Sequence, residues 1–93
     1  MKYINEDLIE MLRETYEETI INDVMENKNN IENVINIFLK YKITCIEEIM
    51  NFNLTLFFLS PNVVERKLVF LIKKLGPDYI ELINEDLDLV CEL

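Results

Sequence analysis

The chain has 93 residues, of which 51% are hydrophobic and 29% are charged, and its formal net charge is −9. This length fits a single domain over residues 1–93, and the hydrophobic content excludes an intrinsically disordered chain. The acidic balance repels phosphate backbones, so we expect no sequence-specific binding to nucleic acid.

The N-terminal part of the chain has the apolar spacing of an amphipathic helix. Asn5 is a good N-cap residue, and the acids that follow it suit a helix N-terminus. Apolar side chains then recur every four residues, which places them on one helix face. They are Leu8, Leu12, Tyr16, Ile20 and Val24. We predict a first helix along this face, with room for a bend midway.

The middle of the chain is predicted to form two further helices. We predict a loop at 27–30, whose last asparagine caps a second helix over 31–39. Thr44 and Glu47 have the spacing of a capping box, in which each side chain satisfies the other residue's backbone amide. This pattern predicts a short third helix, followed by a dense apolar link at 53–59.

The strongest helix-start signal is Ser60-Pro61, with serine as N-cap and proline at the first helical position. Apolar residues recur at helical spacing from Val64 to Leu75, and Gly76 is well placed to end this fourth helix in the left-handed conformation. Pro77 can start a fifth helix that runs through Ile83. Asn84 can cap a sixth helix over 85–93. The predicted fold class is all-α, an antiparallel bundle of six short helices.

The residue types needed for common catalytic and metal sites are missing from the chain. There is no histidine, and the only serine and the only glycine occupy predicted helix ends. Serine or cysteine nucleophiles paired with histidine, clustered zinc ligands and glycine-rich phosphate loops are therefore excluded. Acid pairs such as Glu47-Glu48 diverge by about 100° on a helix, which favours a solvated surface. We expect no catalysis, no metal and no cofactor.

Cysteine usage and hydropathy predict a cytoplasmic location. Cys45 and Cys91 lie far apart in sequence and predict reduced core residues more strongly than a disulfide. The N-terminus lacks an apolar run of signal-peptide length, and no apolar stretch is long enough to cross a bilayer. We therefore expect no membrane partner.

The second half of the chain resembles caspase recruitment domains (CARDs). Residues 65–83 read ERKLVFLIKKLGPDYIELI, which is similar to the basic, leucine-rich fourth helix, the Gly-Pro break and the aromatic fifth helix of that family. Residues 34–50 are similar to its second helix, threonine-containing turn and short third helix. The resemblance implies a six-helix death-fold bundle. Death-effector and pyrin domains share this architecture and remain alternatives.

The resemblance also implies homotypic association between a basic face and an acidic face. Carried onto this chain, the basic face comprises Arg13, Arg66, Lys67, Phe70, Lys73 and Lys74, and the acidic face comprises Glu32, Glu47 and Glu48. Seven-residue spacing keeps each pair of cations in 66–74 on one helix side. Phe70 fits either an exposed anchor or a core residue, and all the charges also fit a merely solvated surface.

Two functions follow from these expectations. The first is a non-catalytic adaptor domain that recruits another CARD-like domain in apoptotic or innate-immune signalling. The second is a stand-alone acidic inhibitor that blocks a basic groove or mimics nucleic acid. The net charges of −6 over residues 1–33 and −6 over residues 76–93 favour the second function, whereas the +3 segment at 61–75 favours the first.

Overall fold

The computed structural model describes residues 3–93, so Met1 and Lys2 of the predicted domain lie outside the described residues. Within that range the protein is helical and has no β-strand. A 3-10 helix, Leu54–Phe58, separates the fourth and fifth of seven α-helices. The α-helices are α1 (Glu6–Arg13), α2 (Glu18–Glu26), α3 (Lys28–Lys40), α4 (Ile46–Phe52), α5 (Pro61–Leu75), α6 (Tyr79–Glu85) and α7 (Asp88–Cys91).

The predicted first helix is interrupted, so the expected count of six helices was wrong for the described residues. Asn5 caps α1 as predicted, because its side-chain oxygen accepts from the Leu8 amide at 3.0 Å. A turn over 14–17 then separates α1 from α2. This turn lets the Tyr16 hydroxyl donate to the main-chain oxygens of Met50 at 2.7 Å and Asn51 at 3.1 Å. Clustered carboxylates in 10–18 also disfavour a continuous helix.

The predicted loop at 27–30 was wrong, because only Asn27 separates α2 from α3. Asn30 lies inside α3 and is not its cap. Its side-chain nitrogen donates to the main-chain oxygens of Phe57 at 3.1 Å and Leu59 at 2.9 Å. The Asn30 side chain is therefore used in a contact between distant segments, although local capping rules predict that it caps a helix.

The helix ends predicted in the middle of the chain are confirmed in part. The capping box is not formed: Cys45 is the N-cap of α4, and no side chain caps that helix. Ser60 and Pro61 stand at the start of α5 as predicted, although the Ser60 side chain makes no capping bond. Gly76 ends α5 as predicted, but its ψ lies outside the left-handed helical conformation that was expected. Its φ of 84° and ψ of −165° form a combination that only glycine adopts without strain.

The C-terminal helices differ from the predicted bounds. Helix α6 begins at Tyr79, two residues after Pro77. Asn84 lies inside α6 rather than at a cap, and α7 occupies only Asp88–Cys91. Hydrogen bonds from the Leu89 amide to Asp86 and from the Val90 amide to Leu87 make the connection a tight turn. The sixth predicted helix was therefore too long.

Every helix contributes side chains to one apolar core. The buried residues of the described range are all hydrophobic, and Phe38 and Phe57 meet at its centre with ring centroids 5.5 Å apart. Helix α3 packs against both α5 and the 3-10 helix, α1 packs against α4, and α7 packs against α4 and α6. These contacts bury α3 between its neighbours and place one face of α5 against the core. The other face of α5 therefore points to solvent. Over 3–93, no helix combines the length and apolarity needed to cross a membrane.

Candidate protein-binding surfaces

The outer face of α5 forms a ridge of cations around one aromatic ring. This basic ridge comprises Arg66, Lys67, Phe70, Lys73 and Lys74, all of them exposed. The four cations stand three or four residues from Phe70, the spacing at which side chains are neighbours on a helix surface. The opposite face of α5 buries Val64 and Leu68 in the core. The core contact thus turns the whole ridge outward.

Phe70 is an exposed residue rather than a core residue. Phe70 is 64% exposed, so of the two positions that the sequence allowed, an exposed anchor or a core residue, it occupies the exposed one. The Lys74 ammonium lies 5.1 Å from the ring centroid and covers one side of the ring. Such a contact stabilises an exposed pair by about 0.5–1 kcal/mol, so it restrains the ring without burying it.

The positive charge of the ridge is largely uncompensated within the molecule. The ion pairs found within residues 3–93 involve Arg13 and Lys40, and none involves a ridge cation. Lys67 donates to the main-chain oxygen of Leu93 at 2.7 Å, a contact that ties its side chain to the C-terminal segment. Beside it, a cleft of about 610 Å³ runs between α5 and the C-terminal segment, with Glu92 as its one acidic residue.

The single acid on α5 is tied to a neighbouring helix. Glu65 accepts from the Lys40 ammonium at 2.7 Å and from the Tyr41 hydroxyl at 2.7 Å. These two donors hold the pKa of the Glu65 carboxyl below its ordinary value, and the same carboxylate raises the pKa of Lys40 and Tyr41. The Tyr79 hydroxyl adds a bond to the Tyr41 main-chain oxygen at 2.7 Å. Glu65 therefore offers little negative charge to the ridge.

Arg13 is not joined to the ridge. Its guanidinium pairs with Glu10 at 2.8 Å and with Glu18 at 3.3 Å, on α1 and α2. The hydrogen bonds that Arg13 donates to these two carboxylates raise its pKa, with the bond to Glu18 the larger cause and the bond to Glu10 the next. No ion pair or hydrogen bond described for residues 3–93 links Arg13 to α5. Of the six predicted basic-face residues, five are brought together and Arg13 is not.

Of the three predicted acidic-face residues, Glu32 contacts Tyr3, and the charges of Glu47 and Glu48 act on it. Glu32 accepts from the Tyr3 amide at 2.7 and 2.8 Å and from the Ile4 amide at 2.8 Å. Glu47 and Glu48 are exposed in the first turn of α4. Burial raises the pKa of the Tyr3 phenol, and the charges of Glu47 and Glu48 raise it further. Glu32 thus fixes the N-terminal segment, whereas Glu47 and Glu48 remain available to a partner.

Sequence reasoning missed an apolar groove at the C-terminal end of α4. This Phe52 groove has a volume of about 600 Å³. Residues from the 14–17 turn, α2, the end of α4 and the 3-10 helix line it: Tyr16, Ile20, Asp23, Asn27, Phe52, Asn53, Leu54, Thr55 and Phe58. Phe52 is 67% exposed at its rim. The dense apolar link at 53–59, with Phe52 just before it, was the available signal: Phe52 and Leu59 are exposed and Phe58 is only partly buried.

The two cysteines are reduced and only partly buried. Burial raises the pKa of the Cys45 and Cys91 thiols, and nearby carboxylates raise both further. A raised thiol pKa lowers the fraction of reactive thiolate at neutral pH. Both residues pack against the core but are only partly buried, so the prediction of reduced core residues is confirmed in part.

Comparisons with protein-family models, with curated proteins and with solved structures found no match to this chain. The function is therefore inferred from the basic ridge, the exposed acids of α4 and the Phe52 groove.

Proposed function

We propose that this protein is a non-catalytic binding module that recruits a similar helical domain through its basic ridge. The observation that carries the proposal is a cluster of four exposed cations around an exposed Phe70 on α5. Aromatic and arginine side chains are enriched among residues that dominate binding energy, and charge at an interface sets partner choice and association rate. A docked acidic surface would compensate the ridge charge.

The resemblance to CARDs supports a finer form of this proposal. If α1 and α2 count as two arms of the first predicted helix, the α-helices of residues 3–93 correspond to six elements. The break between α5 and α6 falls at Gly76-Pro77, within the most similar stretch. In this form the partner is another CARD-like domain, and the module is a cytoplasmic adaptor in apoptotic or innate-immune signalling. Glu47 and Glu48 would offer the acidic counterpart of the ridge.

Charge reversal on the ridge tests the proposal. The probe is a panel of purified CARD, death-effector and pyrin domains, with binding measured by biolayer interferometry. We expect the wild type to bind at least one CARD and the variant Arg66→Glu/Lys73→Glu to bind it about a hundredfold more weakly, since like charges at an interface cost several kcal/mol. Circular dichroism melts should be unchanged within about 0.5 kcal/mol, because both residues are exposed.

The matched control is Lys28→Glu/Lys42→Glu, which makes the same change of charge away from the ridge. This control should bind like the wild type. Equal loss in both variants would show an effect of net charge alone and would contradict docking at the ridge. A panel in which no domain binds the wild type would contradict the death-fold form of the proposal.

The acidic inhibitor is a second candidate function, supported by the exposed carboxylates of α1, the 14–17 turn and α2. Such a protein would bind a basic groove through residues 6–26 and would not need the ridge. Under this function, Glu14→Gln/Glu17→Gln should weaken binding to a cationic partner, whereas Arg66→Glu/Lys73→Glu should not. The opposite order of effects would favour recruitment through the ridge.

A further inference from the structure

The second half of the structure repeats the first at a spacing of 33 residues. Helix α3 begins at Lys28 and α5 begins at Pro61. Helix α4 begins at Ile46 and α6 begins at Tyr79, which is the same spacing. Residues 28–58 therefore form a first unit and residues 61–91 a second. Four pairs of residues at this spacing are buried in both units: Ile31 and Val64, Ile35 and Leu68, Met50 and Ile83, and Phe57 and Val90.

The two units also share a contact between their ends. In the first unit, the Asn30 side chain of α3 donates to the main-chain oxygen of Leu59 at 2.9 Å. In the second unit, the Lys67 ammonium of α5 donates to the main-chain oxygen of Leu93 at 2.7 Å. Each bond ties the first helix of a unit to the segment that follows its last helix. Helical units that repeat in this way stack, because each one buries an apolar face against the next.

The second unit covers one side of the first unit. Helix α5 packs against α3, and its Glu65 is held by Lys40 and Tyr41 at the C-terminal end of α3. On this unit, three apolar side chains are at most 2% exposed: Val34, Phe38 and Leu56. The first unit thus accepts a helix along α3 and holds one carboxylate of that helix.

The corresponding side of the second unit is the cleft between α5 and the C-terminal segment, named the α5 cleft below. The residues 33 positions after Val34, Phe38 and Leu56 all line this cleft: Lys67, Leu71 and Leu89. Lys67 is exposed, and the two leucines are only partly buried. Among the elements of residues 3–93, α5 packs chiefly against α3 and α6. The α5 cleft, of about 610 Å³, therefore stays open to solvent.

The α5 cleft differs from its counterpart in the first unit by its charge. Lys73 and Lys74 occupy the positions that Lys40 and Tyr41 occupy in the first unit, so both possible donors to a carboxylate are cations. Arg66 also stands where the first unit has a neutral residue. A helix that matches this cleft needs an apolar stripe flanked by carboxylates.

We propose that the α5 cleft binds a single acidic amphipathic helix of another protein, placed on α5 as α5 is placed on α3. The apolar stripe of this helix packs against Phe70, Leu71 and Leu89. One of its carboxylates is held by Lys73 and Lys74. The inference goes beyond the proposed function, because the ligand is one helix in a cleft and not a folded domain on the basic ridge.

Binding of designed peptides tests the inference. The probe is a fluorescein-labelled peptide of about 14 residues, or about four helical turns, with leucines on one face and glutamates beside them. One comparison peptide has lysine in place of every glutamate, and the other has the same composition with its leucines spread over all faces. Fluorescence anisotropy should show that the wild type binds the probe at least about thirtyfold more tightly than either comparison peptide, since both charge and shape must match.

A double-mutant cycle tests whether Lys73 and Lys74 hold a carboxylate. Each glutamate of the probe is replaced in turn by glutamine, and the protein variant is Lys73→Gln/Lys74→Gln, at two exposed positions. One replacement should weaken binding to the wild type by about tenfold and binding to the variant by less than about twofold, because the contact needs both partners. The matched control Lys28→Gln/Lys42→Gln removes the same charge outside the cleft and should keep the tenfold difference.

Backbone amide chemical shifts locate the bound probe without any variant. On titration, the largest shifts should lie in residues 66–74 and 89–93. Shifts centred elsewhere would overturn the inference, as would no binding of the probe up to about 1 mM or glutamine effects that are equal in the wild type and the variant.

Two further results would assign the α5 cleft to another occupant and would also overturn the inference. One is tighter binding of a single-stranded oligonucleotide of similar length than of the probe. The other is a wild-type dimer, seen by sedimentation velocity, that Lys73→Gln/Lys74→Gln dissociates. The panel of purified domains reports separately on the proposed function, because it measures recruitment of a folded domain.

Discussion

Hydrogen bonds from a few polar side chains hold the ends of the helices against one another. Glu65 is the clearest case, since its carboxylate, near the start of α5, accepts hydrogen bonds from both the Lys40 ammonium and the Tyr41 hydroxyl. Glu32 does similar work for the N-terminal segment through the amides of Tyr3 and Ile4. The carboxylates of Glu65 and Glu32 are used in contacts within the protein. A charged side chain that reaches the surface is therefore not, for that reason alone, a binding residue.

Removing the charge of Glu65 should make stability less dependent on pH. The pKa of Glu65 is lower in the folded protein, so its ion pair stabilises the fold above the unfolded pKa of about 4.3. That stabilisation is lost as the pH falls through the folded pKa. Glu65→Gln should therefore be less stable than the wild type at neutral pH, and the difference should shrink in acid. Urea melts across this range measure it.

The control for this experiment is Glu81→Gln, which removes an exposed carboxylate on α6. Its difference from the wild type should stay small and nearly constant with pH. A Glu65→Gln difference that persists unchanged into acid would contradict an ionic contribution from the Lys40–Glu65 contact.

At the scale of elements, the boundary between α5 and α6 depends on one backbone conformation. Gly76 has φ 84° and ψ −165°, and open space surrounds the position where a Cβ would stand. Gly76→Ala should therefore lose about 1–3 kcal/mol through backbone strain and not through a clash. Asn84→Ala, an exposed change inside α6, should stay within about 0.5 kcal/mol. Thermal melts measure both, and equal effects would contradict the strain explanation.

The elements that sequence predicted well are those set by local chemistry. The Asn5 cap, the Ser60-Pro61 start and the Gly76 end all depend on residues within one helical turn. The outward face of α5 was also predictable, because helical spacing alone separates Val64 and Leu68 from the cations. The predicted all-helical class is confirmed for residues 3–93.

The elements that sequence predicted poorly depend on contacts between distant residues. The break between α1 and α2 is linked to the bonds from Tyr16 to Met50 and Asn51, more than thirty positions away. Asn30 and Glu32 likewise bond to backbone groups nearly thirty positions away. The Phe52 groove lies between the 14–17 turn, α2 and the end of α4, which these long-range contacts of Tyr16 bring together, so spacing along the chain could not reveal it.

At the scale of the whole molecule, charge is distributed unevenly over an apolar core. Four of the nine bases stand on α5, whereas the acids dominate α1, α2 and the C-terminal segment. Such a dipolar surface favours oriented association with another dipolar surface, and salt screens the attraction. For binding through the ridge, salt should therefore change the association rate constant more than the dissociation rate constant.

A salt series tests this expectation for binding to a panel domain. Between about 0.01 M and about 1 M salt the screening length falls from about 30 Å to about 3 Å. The wild-type association rate should fall steeply over this range. The variant Arg66→Gln/Lys73→Gln should show a flatter dependence, because fewer charges are left to screen. Parallel slopes for the two proteins would contradict steering by the ridge.

The tyrosines give the molecule an internal optical reporter. The chain has four tyrosines and no tryptophan, and the hydroxyls of Tyr16, Tyr41 and Tyr79 each reach an acceptor more than twenty positions away. Near-ultraviolet circular dichroism senses aromatic rings held in fixed surroundings. On heating, loss of this near-ultraviolet signal would therefore report that the packed helices separate, even if the far-ultraviolet signal shows that the helices persist. No attached dye is needed.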